Sequence, residues 1–149
     1  MGLWEKFKYG KSSLVGMVTG TIAGLASITP ASGFVEPLEA LVIGAIAGIL
    51  CQEAVNYVRN ILKIDDTLDV FAVHGVGGIF GTIMIASFGK ADWIAQIGSL
   101  AIVGLFTLAV TLILVKFTAL LTVLRVSEED ESVGLDVSAH GERAYDHTS

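Results

Sequence analysis

The sequence predicts an all-α, polytopic transmembrane helical bundle. Three observations carry that prediction. Three stretches are free of formal charge: 24 residues from Ser12 to Val35, 20 from Val70 to Gly89, and 22 from Ile94 to Val115. Each reaches the roughly 17–25 residues that cross the hydrocarbon of a bilayer as a helix. Only 16% of the 149 residues are charged and 53% are hydrophobic, with a mean hydropathy of +0.72. Ordinary soluble domains carry about a quarter charged residues. The charge is also segregated. Residues 1–127 hold 8 basic and 8 acidic groups, whereas residues 128–149 hold 7 acidic groups and Arg143, so the tail carries the whole net charge of −6. This composition argues against a soluble globule and against nucleic-acid binding through a basic surface. Cys51 is the sole cysteine and makes no internal disulfide.

The chain divides into a short N-terminal segment (1–11), a four-helix membrane region (12–126) and an acidic tail (127–149). The first span runs from about Ser12, with Ser12 or Ser13 as cap, to Thr29. Pro30 ends it, because the residue before a proline is pushed out of helical geometry. The second runs from Pro37, a favourable first helical residue, to about Leu62. Glu39 suits its first turn. Glu53 faces either a bundle interior or the far headgroup region. The third starts near Asp65–Asp66, with Asp69 still in its first turn, and stops at Gly89. The fourth runs from Asp92–Trp93 to about Arg125, long enough that it tilts or projects into water. In the tail, Glu128, Glu129, Asp130 and Glu131 repel one another, which predicts a solvated segment.

Basic residues set the orientation. Lys6, Lys8, Lys11, Arg59, Lys63 and Arg125 share one side of a four-span arrangement, and Lys90 lies on the other. The positive-inside rule then places both termini in the cytoplasm of a multi-pass cell-membrane protein. Small residues recur at spacings of four: Gly16, Gly20 and Gly24 on the first helix, Ala40, Gly44 and Gly48 on the second, Gly77 and Gly81 on the third. Such faces let helix backbones approach closely in lipid. They speak of packing and not of transport.

His74 is the sharpest functional candidate. Counted from a helix start at Asp66 it lies about 12 Å along the axis, inside the membrane. A neutral imidazole has one donor and one acceptor, and hydrocarbon satisfies neither. Asp66, Val70, His74 and Gly78 recur at a spacing of four and share one helix face, a possible lining for an apolar passage with one polar station. A structural hydrogen bond between helices, haem or metal ligation, and an unused core residue stand as alternatives. Metal has little support, because His140 and His147 lie in the tail. No CxxC, HExxH or phosphate loop occurs, and no strand precedes Gly75-Val76-Gly77-Gly78 to make it a nucleotide fingerprint. No nucleophile or second catalytic group accompanies His74, so the reading is of a non-enzyme without a cofactor.

The residues now resemble the ammonium transporter (Amt/Mep/Rh) family over nearly the whole chain. Lys8–Ser13 followed by Gly20–Gly33 is similar to the family's eighth membrane helix and outer loop. Ile43–Gly48 is similar to the ninth, and the stretch Lys63–Gly81, the most specific, to the start of the tenth. The last span resembles the eleventh. Arg125-Val126, Gly134-Leu135-Asp136 and His140–Tyr145 resemble the cytoplasmic tail. The resemblance implies that His74 is the second of two hydrogen-bonded pore histidines and Val70 an apolar pore residue one turn away. Asp66 and Asp69 match acidic positions at the cytoplasmic end of the pore helix, where helix capping and vestibule shape are the implied roles. It further implies ammonium or ammonia as substrate, a homotrimer with one pore per subunit, and a cytoplasmic face that binds a PII signalling protein in many members. Family members have about eleven helices; the last four are matched here. The first pore histidine belongs to the fifth helix, in an N-terminal transporter portion missing from this sequence. A non-transporting fragment or accessory subunit, binding full-length transporters or a PII regulator, is the alternative expectation.

Overall fold

A computed structural model describes residues 1–143 of the chain. Ala144, Tyr145 and His147, singled out above, lie outside them. Every regular element among the described residues is helical. The chain is an all-α helical membrane bundle. It forms two compact units, Met1–Val103 and one beginning at Gly104.

In the first unit, α1 (Gly2–Tyr9) is followed by α2 (Leu14–Ile28). Ser13 caps α2 by accepting the Gly16 N–H at 2.8 Å. Thr29–Ala31 form a 3₁₀ turn around Pro30, so the chain tightens there before it leaves the helix. α3 (Pro37–Asn56) opens with Pro37 at its first position and a capping box between Glu36 and Glu39. It ends in a π turn, Tyr57–Ile61. α4 begins with a second π turn, Phe71–Gly75, and continues as an α-helix over Val76–Ser87. Gly89, at φ 70°, turns the chain out of it.

The spans Leu14–Ala31, Pro37–Ile61 and Trp93–Leu121 are long and apolar enough to cross a bilayer. The helix Phe71–Ser87 is shorter, about 26 Å at 1.5 Å per residue against roughly 30 Å of hydrocarbon. It begins five residues later than the sequence patterning placed it. Asp69, at φ 55°, breaks helical geometry just before it, and a turn occupies Thr67–Leu68.

α2, α3 and α4 pack together as an antiparallel trio. Ala23, Cys51 and Val73 meet towards one end, and Ala31, Ile43 and Ile85 towards the other. Glycine allows the closest approach. A Cβ on Gly77 would lie 2.7 Å from Ser27 Oγ and 3.4 Å from Cys51 Sγ, and one on Gly81 would strike the Ser27 carbonyl. The other glycine stripes meet different neighbours. Gly16 faces the Glu5 carboxylate, and Gly20 and Gly48 face Met1. Gly24 and Gly44, expected at helix contacts, face open space.

The segment 1–11 is built into this unit. Glu5 accepts from the Ser13 N–H at 2.8 Å and from its hydroxyl. Trp4 Nε1 donates to Glu53 Oε1 at 2.7 Å, and Lys8 Nζ pairs with Glu53 Oε2 at 2.7 Å. Asn56 donates to the Tyr9 hydroxyl. Glu53, the acid left with two possible placements by the sequence, therefore has its partners on α1. At the opposite end of the trio Lys90 pairs with Glu39 at 3.5 Å.

α5 (Trp93–Leu121) starts with Asp92 accepting the Ala95 N–H and has no buried residue. A helix that is apolar on every side suits lipid or other membrane helices. In the second unit Ser127 caps α6 (Glu128–Val133), and Arg125 pairs with Glu131 at 2.7 Å. α7 (Leu135–His140) follows. The acidic tail is thus partly helical. Four acids in the first turn of α6 sit where the helix dipole favours negative charge.

Candidate functional site

The site is assembled where α3 ends and α4 begins. The linking residues carry acids at 65, 66 and 69, and each is placed differently. Asp65 accepts the Thr67 hydroxyl. Asp66 turns its carboxylate under the first turn of α4. Oδ1 accepts the Val70 N–H at 2.8 Å, and Oδ2 accepts those of Phe71 and Ala72 at 2.9 and 3.4 Å. One side chain thereby serves three amides that have no partner within the helix. Asp66 lies beneath the start of α4 and is not part of the helical face that its spacing suggested.

Asp69 is buried, 8% exposed, and pairs with Arg59 across 2.7 Å. Its carbonyl accepts the Val73 N–H at 2.8 Å. A polar cavity of about 300 Å³ adjoins it, with Glu5, Ser13, Gln52, Asn56 and Arg59 among its lining residues. Arg59 is a residue of this cluster that sequence reasoning did not place beside Asp69. Its signal was an opposite charge on the far side of a short loop from Asp69.

His74 is the fourth residue of α4, so its distance from the helix start is about 6 Å, half that reckoned from Asp66. It is exposed, as are Val70 and Phe71, while Ala72 and Val73 on the other side of the turn are buried against the trio. Among the described residues the His74 imidazole has no hydrogen-bond partner. Gly78, one turn on, is partly exposed and has open space where a Cβ would be. The π turn itself was not legible in the sequence. In it the Val76 N–H reaches back five residues to the Phe71 carbonyl, a geometry that recurs at functional sites.

The geometry defines a class: a multi-pass helical membrane protein with a histidine exposed on the face of an apolar helix. The sequence model of the Ammonium Transporter Family matches residues 1–145, and the chain belongs to that family. It is 39% identical to the ammonium transporter of Bacillus subtilis over 91% of this chain and 37% of that protein. It is 40% identical to ammonium transporter Amt1 of Archaeoglobus fulgidus, over 91% of this chain and 38% of that protein. Ammonium transporter 1 of Schizosaccharomyces pombe is 42% identical over 96% of this chain and 34% of its own length. The chain spans little more than a third of the curated relatives it matches.

Proposed function

We propose that this chain forms the C-terminal part of an ammonium transporter, in which the α4 face carrying Val70 and His74 lines an apolar pathway for ammonia. One observation supports this reading above the others. His74 stands exposed on an apolar membrane helix with no hydrogen-bond partner among the described residues. An imidazole left that way in hydrocarbon is costly, so another segment supplies its partner. In this reading a second histidine, from the N-terminal transporter portion, meets it in the assembled pore. Val70 keeps the path apolar beside it, which favours an uncharged species over a cation. Asp66 and Asp69 shape the cytoplasmic mouth. The glycine faces of Gly16, Gly20, Gly24, Gly44, Gly48, Gly77 and Gly81 pack helices within the chain and against those of the missing portion.

The complete protein is a homotrimer in the cell membrane, with both ends of this chain in the cytoplasm; the distribution of Lys and Arg supports that orientation. A PII protein is the candidate partner on that face. The test is methylammonium uptake in cells devoid of other ammonium transporters, expressing this chain together with the N-terminal portion. His74→Ala is expected to change uptake or selectivity while assembly is unchanged. Normal uptake with collapsed assembly would make His74 structural. Recovery of the chain only on complete transporters, with no contribution to uptake, would replace this reading with that of an accessory subunit.

A further inference from the structure

We infer that Arg59 is a positioning residue for His74, acting through Asp69; the inference rests on the reading of α4 as the pathway helix. Arg59 sits in the π turn that ends α3. Its Nε donates to Asp69 Oδ1 at 2.7 Å and its Nη2 to the Thr67 carbonyl at 2.9 Å. The planar guanidinium holds two points of the loop at once, in a fixed relation that a lysine ammonium does not reproduce.

What it holds is the residue that launches α4. Asp69 has φ 55°, in the left-handed region that costs most residues with a Cβ, and its carbonyl accepts the Val73 N–H. Its carboxylate is largely withdrawn from water, and Arg59 is its charge partner. The π turn follows immediately, carrying His74. A π turn relaxed to α geometry would rotate that residue about the helix axis. The Arg59–Asp69 pair pins one end of the turn, and the contacts of Gly77 and Gly81 with Ser27 pin the other. Between these anchors the direction of His74 is fixed.

The experiment separates this role from simple loop stapling. Asp69→Asn keeps a side chain tolerated in left-handed geometry and removes the charge. Arg59→Met removes the donor, and Arg59→Lys keeps charge without the fork. The imidazole nitrogen resonances of His74 are recorded for this chain in lipid nanodiscs, where no transport is needed. Arg59→Met and Asp69→Asn are each expected to move those resonances, the double variant no further than either, with partial return in Arg59→Lys. In the assembled transporter, uptake per molecule is expected to fall about tenfold in either single variant, as for a lost charge-assisted hydrogen bond. Unmoved His74 resonances in both folded single variants overturn the inference, as do shifts that add in the double variant. Should Arg59→Met fail to fold, Arg59→Lys and Asp69→Asn decide by the same resonances. Normal uptake by His74→Ala would instead overturn the pathway reading, and the resonances would still report on Arg59.

Discussion

Gly81 of α4 lies against the Ser27 carbonyl of α2 so closely that a Cβ at that position would land on the oxygen. The obstacle is backbone, which has no rotamer to escape into. Gly81→Ala is therefore expected to destabilise the bundle by about 1–3 kcal/mol or more, through forced separation of the two helices. Gly24→Ala meets nothing within 4 Å and is expected to be neutral, or to gain up to about 1 kcal/mol from helix propensity. Unfolding in mixed detergent micelles with rising SDS compares the two. Equal stability of both variants would refute the packing account.

Asp66→Ala removes the acceptor for the amides of Val70, Phe71 and Ala72. The expected cost is about 1–2 kcal/mol, confined to the first turn of α4. Hydrogen exchange at those three amides should accelerate by roughly tenfold, since 1.4 kcal/mol is a factor of ten. Exchange beyond Gly77 should not change. Acceleration along the whole of α4 would mean that the carboxylate supports more than the helix start.

Glu53→Gln should release α1, because Trp4 and Lys8 both bind that carboxylate. The hydrogen bond to Glu53 raises the Lys8 pKa above its ordinary 10.5. A pKa raised on folding means that the contribution is complete below 10.5 and is lost as pH climbs through the folded value. α1 is thus expected to stay docked across neutral pH and to loosen in strong alkali as Lys8 loses its proton, and in acid as the Glu53 carboxylate gains one. Trp4 emission in a Trp93→Phe background reads the docking. A transition near neutral pH would contradict the assignment.

Glu39→Gln breaks the contact with Lys90, a partly exposed pair 3.5 Å apart. Such pairs contribute little, about 0–1 kcal/mol, and salt screens them. The variant should match the parent at high ionic strength and fall slightly below it at low. A large loss that salt does not reduce would point instead to the capping box, in which Glu39 also accepts the Glu36 N–H.

Much of this architecture was written in the pattern of apolar runs. The first and last spans follow from charge-free stretches ended by proline or by length, and the second from Pro37 and the apolar run between Glu39 and Glu53, since lipid demands little else of a helix. The start of α4 was less legible. Aspartates at 65, 66 and 69 look alike as caps, and only tertiary contact with Arg59 decides that Asp69 turns left-handed while Asp66 reaches forward. The docking of α1 was also hidden, because Trp4 and Lys8 lie 49 and 45 residues from the acid they bind. Gly77 and Gly81 meet another helix, whereas Gly24 and Gly44 of the same spacing do not. A repeat of small residues marks a smooth surface without naming what lies on it.

The π turn at Phe71–Gly75 makes the beginning of α4 sensitive to chain length in a way that side-chain chemistry alone is not. Each residue added to or removed from a helix swings everything on one side of the edit by about 100°. The segment from Val76 onward is locked by Gly81 against Ser27, so such a swing falls on the residues before it. Inserting a single residue between Asp69 and Val76 would carry the upstream face about a quarter-turn around the axis, with every original amino acid unchanged. In this stretch spelling has some latitude, and the count has none.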